Sequence, residues 1–151
     1  MTHMIRFAVA VIFATATATP AFPAENWPDS FSAYLASVRK TVKTMDTEGY
    51  LPVVKNPDGA LLIDVREDYE YKAGHVPGPI NIPRGLLEFQ IWRTLGHPDR
   101  VDMNRKIIVQ CRTGGRATLA AAALKAIGFT DVTAVITNIE EWEKSGKPWV
   151  R

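Results

Sequence analysis

Apolar residues fall in short clusters along the chain, and their spacing predicts alternating helices and strands. Phe31, Tyr34, Leu35 and Val38 share one helical face after Pro28, with Asp29 or Ser30 as N-cap, which predicts a helix to about Lys40. Thr41 to Met45 alternates as a short strand, and Asp46 or Thr47 would cap a brief helix interrupted by Gly49 and Pro52. Pro57-Asp58-Gly59 is a turn signal. The runs Ala60 to Val65 and Ile107 to Val109 are continuously apolar rather than alternating, apart from Asp64, and so predict strands buried on both faces, as in a parallel sheet.

Between those two runs lie a short acidic helix from Glu67 to Lys72, a break at Gly74 to Pro79, and a brief strand, Ile80-Asn81-Ile82. A helix carrying Leu86, Leu87, Phe89, Gln90 and Ile91 and a solvent loop at Gly96 to Asp99 follow. Beyond Arg116 comes an alanine-rich helix whose apolar face is read as Leu119, Ala122, Ala123 and Ala126, closed by Gly128. Asp131 to Ile136 is the last strand, and Ile139, Trp142 and Glu143 start a final helix stopped by Gly146 and Pro148. Strands alternating with helices give an α/β class with a parallel sheet covered on both faces.

At 151 residues the chain has room for one ordinary domain. A net charge of +2 with scattered basic residues argues against nucleic acid as a partner. The N-terminus alters the picture. Arg6, an apolar run from Phe7 to Ala14 and a small-residue tract through Ala21 form the three parts of a secretory signal. Residues 1–21 are therefore expected to be removed, with Thr19-Pro20-Ala21 the preferred cleavage site and positions 16–24 all open. Residues 22–41 would be an N-terminal helical extension and residues 42–151 the domain proper. The apolar run is too short to span a bilayer. The expected mature protein is exported, in the periplasm, with no stable membrane insertion.

Candidate chemistry concentrates at the only cysteine, in Gln110-Cys111-Arg112-Thr113-Gly114-Gly115-Arg116-Ala117. The pattern reads as strand, tight loop, helix. Glycines would let backbone N–H groups turn toward the Cys111 sulfur, and the helix behind contributes the positive end of its dipole. With Arg112 and Arg116 close in sequence, the thiol is expected to ionise readily and to face an anion site formed by residues 112–116. One cysteine cannot form an internal disulfide, so an exported copy carries a free thiol, and a dithiol oxidoreductase is excluded.

Four segments in order, Leu62-Ile63-Asp64-Val65-Arg66-Glu67, Tyr71 to Gly78, Asn81-Ile82-Pro83 and Cys111 to Ala117, resemble a single-domain rhodanese from about Val42 to Pro148. The resemblance implies a five-stranded parallel sheet between helices, with the active cysteine opening the loop after the fourth strand. It further implies sulfur transfer: Cys111 takes a sulfane sulfur from a small anionic donor such as thiosulfate and passes it, as a persulfide, to cyanide or a thiol, or to a protein sulfur acceptor. No metal or organic cofactor is called for. Arg112, Thr113, Gly114, Gly115 and Arg116 match the family's cradle. Asp64 and Arg66 match a strand-end pair that braces loops, with a plain surface ion pair as the bland alternative, and His75 matches a structural turn histidine.

Two departures stand out. Thr113 occupies a position that is basic in two-domain thiosulfate enzymes, which bears on how well thiosulfate is used. Thr137-Asn138 replaces a glycine pair before the last helix. The competing readings are a persulfide carrier or redox-sensing module without turnover, and a cysteine phosphatase or arsenate reductase. The last pair fits less well, because phosphatase loops place arginine one position later than Arg116, where this chain has Ala117.

Overall fold

The computed structural model describes residues 27–151, so the signal segment read at residues 1–21 and the first residues of the extension lie outside it. Six α-helices and five strands follow in the order α1 Asp29–Arg39, β1 Lys43–Met45, α2 Thr47–Lys55, β2 Leu61–Asp64, α3 Asp68–Ala73, β3 Ile80–Asn81, α4 Leu87–Thr94, β4 Ile107–Gln110, α5 Gly115–Ala126, β5 Val132–Val135 and α6 Ile139–Lys144. A short 3-10 turn, Arg84–Leu86, leads into α4. All five strands pair in parallel in the order β1-β5-β4-β2-β3. The continuously apolar runs are the two central strands β2 and β4, with β4 buried throughout, as two-sided cover requires.

Strand alternation sends side chains to two cores. Ile63, Val65, Ile107, Val109 and Cys111 pack with Leu87 and Ile91 of α4 and with Ala117, Ala120, Ala121 and Leu124 of α5. Leu62, Ile108 and Val135 pack on the opposite face with Tyr50 of α2 and Ile139 and Trp142 of α6. Each fully buried large aliphatic or aromatic side chain contributes roughly 1.5–3 kcal/mol.

Three local readings are corrected. The N-cap of α1 is Pro28, not Asp29 or Ser30; its carbonyl accepts from Phe31 and Ser32 N–H at 3.0 Å, and Asp29 sits in the first turn. Gly49 and Pro52 do not interrupt α2. Asp46 Oδ1 accepts from Gly49 N at 2.8 Å, and burial of Tyr50 holds the helix to the sheet, so packing overrides propensity. The buried face of α5 is Ala117, Thr118, Ala120, Ala121 and Leu124 rather than Leu119, Ala122, Ala123 and Ala126. A helix of alanines is apolar all round, so periodicity cannot choose its inner side. Here α1 covers the flank of α5, with Leu35 packed near Gly115.

The chain's end is fastened under the α3 loop, where His75 and Val150 exchange backbone hydrogen bonds at 2.9 Å. Gly74 lies directly on Trp149: a Cβ at this position would stand 2.7 Å from the indole ring. Gly74→Ala should therefore lower unfolding free energy by about 2 kcal/mol, the cost of overpacking against a rigid ring. A urea midpoint equal to that of the wild type would show that the C-terminal segment can yield without loss.

Candidate active site

Cys111 follows β4, the middle strand of five, and so lies at the carboxyl edge of the sheet, where open α/β folds build their sites. It is 1% exposed. The loop then folds back over it. Gly114 has φ +95°, and a Cβ there would meet Ile136 Cδ1 at 2.9 Å, Ile136 Cα at 3.1 Å and the Val135 carbonyl oxygen at 3.2 Å, so both conformation and space require glycine. This turn aims backbone donors at the sulfur. Gly114 N–H and Ala117 N–H donate to Cys111 Sγ at 3.2 and 3.3 Å, and α5 starts at Gly115 with its positive end beside them. The Gly114 carbonyl accepts from Thr118 N–H at 2.9 Å and Thr118 Oγ1 at 2.8 Å, which locks the turn to the helix. A sulfur so placed accepts hydrogen bonds best when it carries negative charge.

The sequence brings both arginines to this loop, but the tertiary structure gives each a carboxylate. Arg112 donates to Glu140 Oε1 of α6 from Nε at 3.0 Å and Nη2 at 2.5 Å. Arg116 donates to both oxygens of Glu70 in α3, at 2.6 and 2.8 Å. The Glu70 bonds, offset in part by burial, raise the Arg116 pKa, with smaller contributions from the negative charges of Glu70, Cys111 and Glu67. Burial alone would raise the Glu70 carboxyl, but hydrogen bonds from Arg116 and Glu67 N–H, with the charges of Arg116 and Arg66, hold it below the usual carboxylate range. Neither glutamate was legible as a site residue. Glu70 belongs to the predicted acidic helix and Glu140 to the final one, and nothing local marks a partner 46 or 28 positions away.

Asp64 and Arg66 are not a surface ion pair. They are 0% and 4% exposed. Arg66 Nε lies 3.1 and 3.0 Å from the two Asp64 oxygens and Nη2 lies 2.8 Å from Oδ2; the same guanidinium donates to the Gly74 and Glu70 carbonyls. Gln110 Nε2 also donates to Asp64 Oδ2 at 2.9 Å. Alternation along β2 and β4 sets Asp64 and Gln110 on the opposite sheet face from Cys111, so this network braces the strand ends and reaches no reacting atom. His75 stacks on Tyr71 at 3.8 Å with Nδ1 at 3.0 Å from the Tyr71 carbonyl, a packed position in the turn. At Thr137-Asn138, the Asn138 side chain accepts from Glu140 and Glu141 N–H and so caps α6, while Thr137 bonds Thr47 through hydroxyls. The Ile139 N–H donates to the Arg112 carbonyl at 2.9 Å, tying that cap to the cysteine loop. Thr113 is half-buried within the loop. Among the described residues, no cluster of three or more His, Cys, Asp or Glu could hold a metal, and no helix is long and apolar enough to cross a membrane.

Arg66→Met leaves the Asp64 carboxylate buried without its cation and should cost about 3 kcal/mol or more in urea unfolding; a loss below about 1 kcal/mol would mean that the brace is dispensable. Because the folded Glu70 carboxyl is depressed, its stabilisation is complete above its unfolded value and vanishes as pH falls through the folded one. Glu70→Gln should accordingly be less stable than wild type near pH 7, and the gap in urea midpoint should narrow as pH falls below the ordinary glutamate range. A gap of constant size across that range would exclude Glu70 ionisation as its source.

The fold has counterparts among known proteins. Residues 52–145 match the rhodanese-like domain. A putative mitochondrial thiosulfate sulfurtransferase of Schizosaccharomyces pombe is 31% identical over 121 residues, covering 74% of this chain and 84% of that protein. A putative sulfur carrier protein of Bacillus subtilis is 28% identical over 102 residues, 68% of this chain, which spans about half, 51%, of that longer protein. Among solved structures, the polysulfide-sulfur transferase homodimer of Wolinella succinogenes superimposes with a TM-score of 0.63 at 26% identity, covering 80% of this chain and 87% of that one. Since the domain match takes in β2 to β5, α6 and the whole Cys111 loop, this chain belongs to the rhodanese-like family.

Proposed function

We propose that this protein is a sulfurtransferase that carries sulfur as a persulfide on Cys111. The observation that carries this reading is the pair of backbone N–H groups, from Gly114 and Ala117, converging on the buried Cys111 sulfur at the start of α5. Such a cradle stabilises charge on sulfur in both halves of a two-step transfer. In the first half the Cys111 thiolate attacks the outer sulfur of a sulfane donor. A sulfur–sulfur bond forms to Cys111, and the donor's own bond to that sulfur breaks, its electron pair leaving with the donor; with thiosulfate the leaving group is sulfite. In the second half a thiol or cyanide attacks the outer sulfur and Cys111 departs as thiolate. The sulfurtransferase and sulfur-carrier names of its relatives support the general class. We further propose that residues 1–21 direct export, so that the domain works in the periplasm; the N-terminal mass of the secreted protein, with cleavage falling within 16–24, would support this, and an uncleaved cytoplasmic chain would refute it.

Incubation of the reduced protein with a sulfane donor should add one sulfur to the intact mass, removable by cyanide with repeated formation of thiocyanate. Cys111→Ser should abolish both mass gain and turnover while leaving the unfolding midpoint close to wild type. Retained turnover in that variant would defeat the mechanism. A gain discharged only once would make the protein a carrier instead.

A further inference from the structure

The cradle of this site is less cationic than its two arginines suggest. Arg112 is engaged through two nitrogens by Glu140, and Arg116 through two by Glu70. The two cations of the loop thus meet two carboxylates. The Arg116–Glu70 pair is bidentate, whereas Arg112 meets a single oxygen of Glu140; in either case an incoming anion must displace a glutamate or approach a neutralised rim. The remaining positive field at the sulfur comes from the α5 N-terminus and the loop N–H groups, which is of the order of half a charge. That suffices for one sulfur anion.

Resting on the sulfur-transfer reading above, we infer that Glu140 and Glu70 are specificity-determining residues, which tune the site toward organic persulfides and away from dianionic thiosulfate. The favoured loading step is attack of the Cys111 thiolate on the outer sulfur of R–S–SH. A bond forms between the Cys111 sulfur and the outer sulfur, the donor's own sulfur–sulfur bond breaks, and R–S⁻ leaves with the electron pair while the proton stays on the transferred sulfur. The step needs no outside oxidant or reductant. Thiosulfate reacts in the same sense, but it brings two negative charges to a rim where Glu70 and Glu140 already stand beside the loop arginines. Glu140 gives the cleaner test, since its side chain is 51% exposed and its loss leaves the Asn138 cap of α6 in place, whereas Glu70 also completes the capping box of α3.

The experiment measures the rate of sulfur loading on Cys111 by rapid-quench intact mass, with thiosulfate and 2-hydroxyethyl persulfide, which carries no carboxylate, as the two probes, in wild type and Glu140→Gln. The wild type should load faster from the persulfide. In Glu140→Gln the ratio of thiosulfate to persulfide loading rates should rise about tenfold at low salt, the size expected from removing one charge several ångströms from a dianion, and the rise should shrink as ionic strength increases. A ratio that stays level or falls while both donors load would overturn the inference and leave sulfur transfer intact. A wild type that gains no sulfur from either donor would overturn the underlying reading as well. Glu70→Gln, compared at a pH where it is fully folded, should shift the ratio in the same direction; a shift in the opposite direction would count against the charge argument.

Discussion

The left-handed turn at Gly114 is the constraint on which the site depends. Without it the chain leaving β4 could not fold back over Cys111, and the Gly114 and Ala117 N–H groups would not meet at the sulfur. The turn is over-determined. Ile136 and the Val135 carbonyl close off the space a side chain would need, and Thr118 holds the Gly114 carbonyl from within α5. Strand, loop and helix therefore act as one rigid unit, and the cost of orienting donors toward the sulfur is met in folding rather than at each reaction.

Around that unit the molecule places two further layers of support. On the sheet face opposite Cys111, Asp64, Arg66 and Gln110 join the carboxyl ends of β2 and β4 to the segment after α3, with Trp149 against the Arg66 guanidinium at 6.0 Å. At the carboxyl edge, α3 and α6 each supply a glutamate to a loop arginine, and α6 is tied to the Arg112 carbonyl by its first N–H. The first layer is buried and governs stability. The second is partly solvated, so its worth to stability is modest and its effect on the charge met by a ligand is the larger one.

Most of the fold was legible because parallel α/β proteins write themselves plainly: continuous apolar runs for the central strands, Pro-Asp-Gly and glycine breaks between elements. At Asp58 and Gly59 both φ values are positive, as the turn signal demanded. The errors arose where local signals are degenerate. The polyalanine stretch of α5 offers no preferred face, and the cap of α1 has three polar or helix-starting candidates in succession.

By itself the sequence determined the strand–cysteine–glycine–helix unit, because such a loop is specified by residues adjacent in the chain: a β-branched run, a sulfur, and a glycine, Gly114, where a Cβ cannot fit. Only the tertiary structure decided what the charged residues do. Whether Arg112 and Arg116 stand open to an anion or are held by carboxylates depends on where α6 and α3 pack relative to β4, and whether Asp64 and Arg66 are exposed or buried depends on what covers the sheet. Charge pairing between elements is set by packing in three dimensions, which hydrophobic spacing along the chain does not encode.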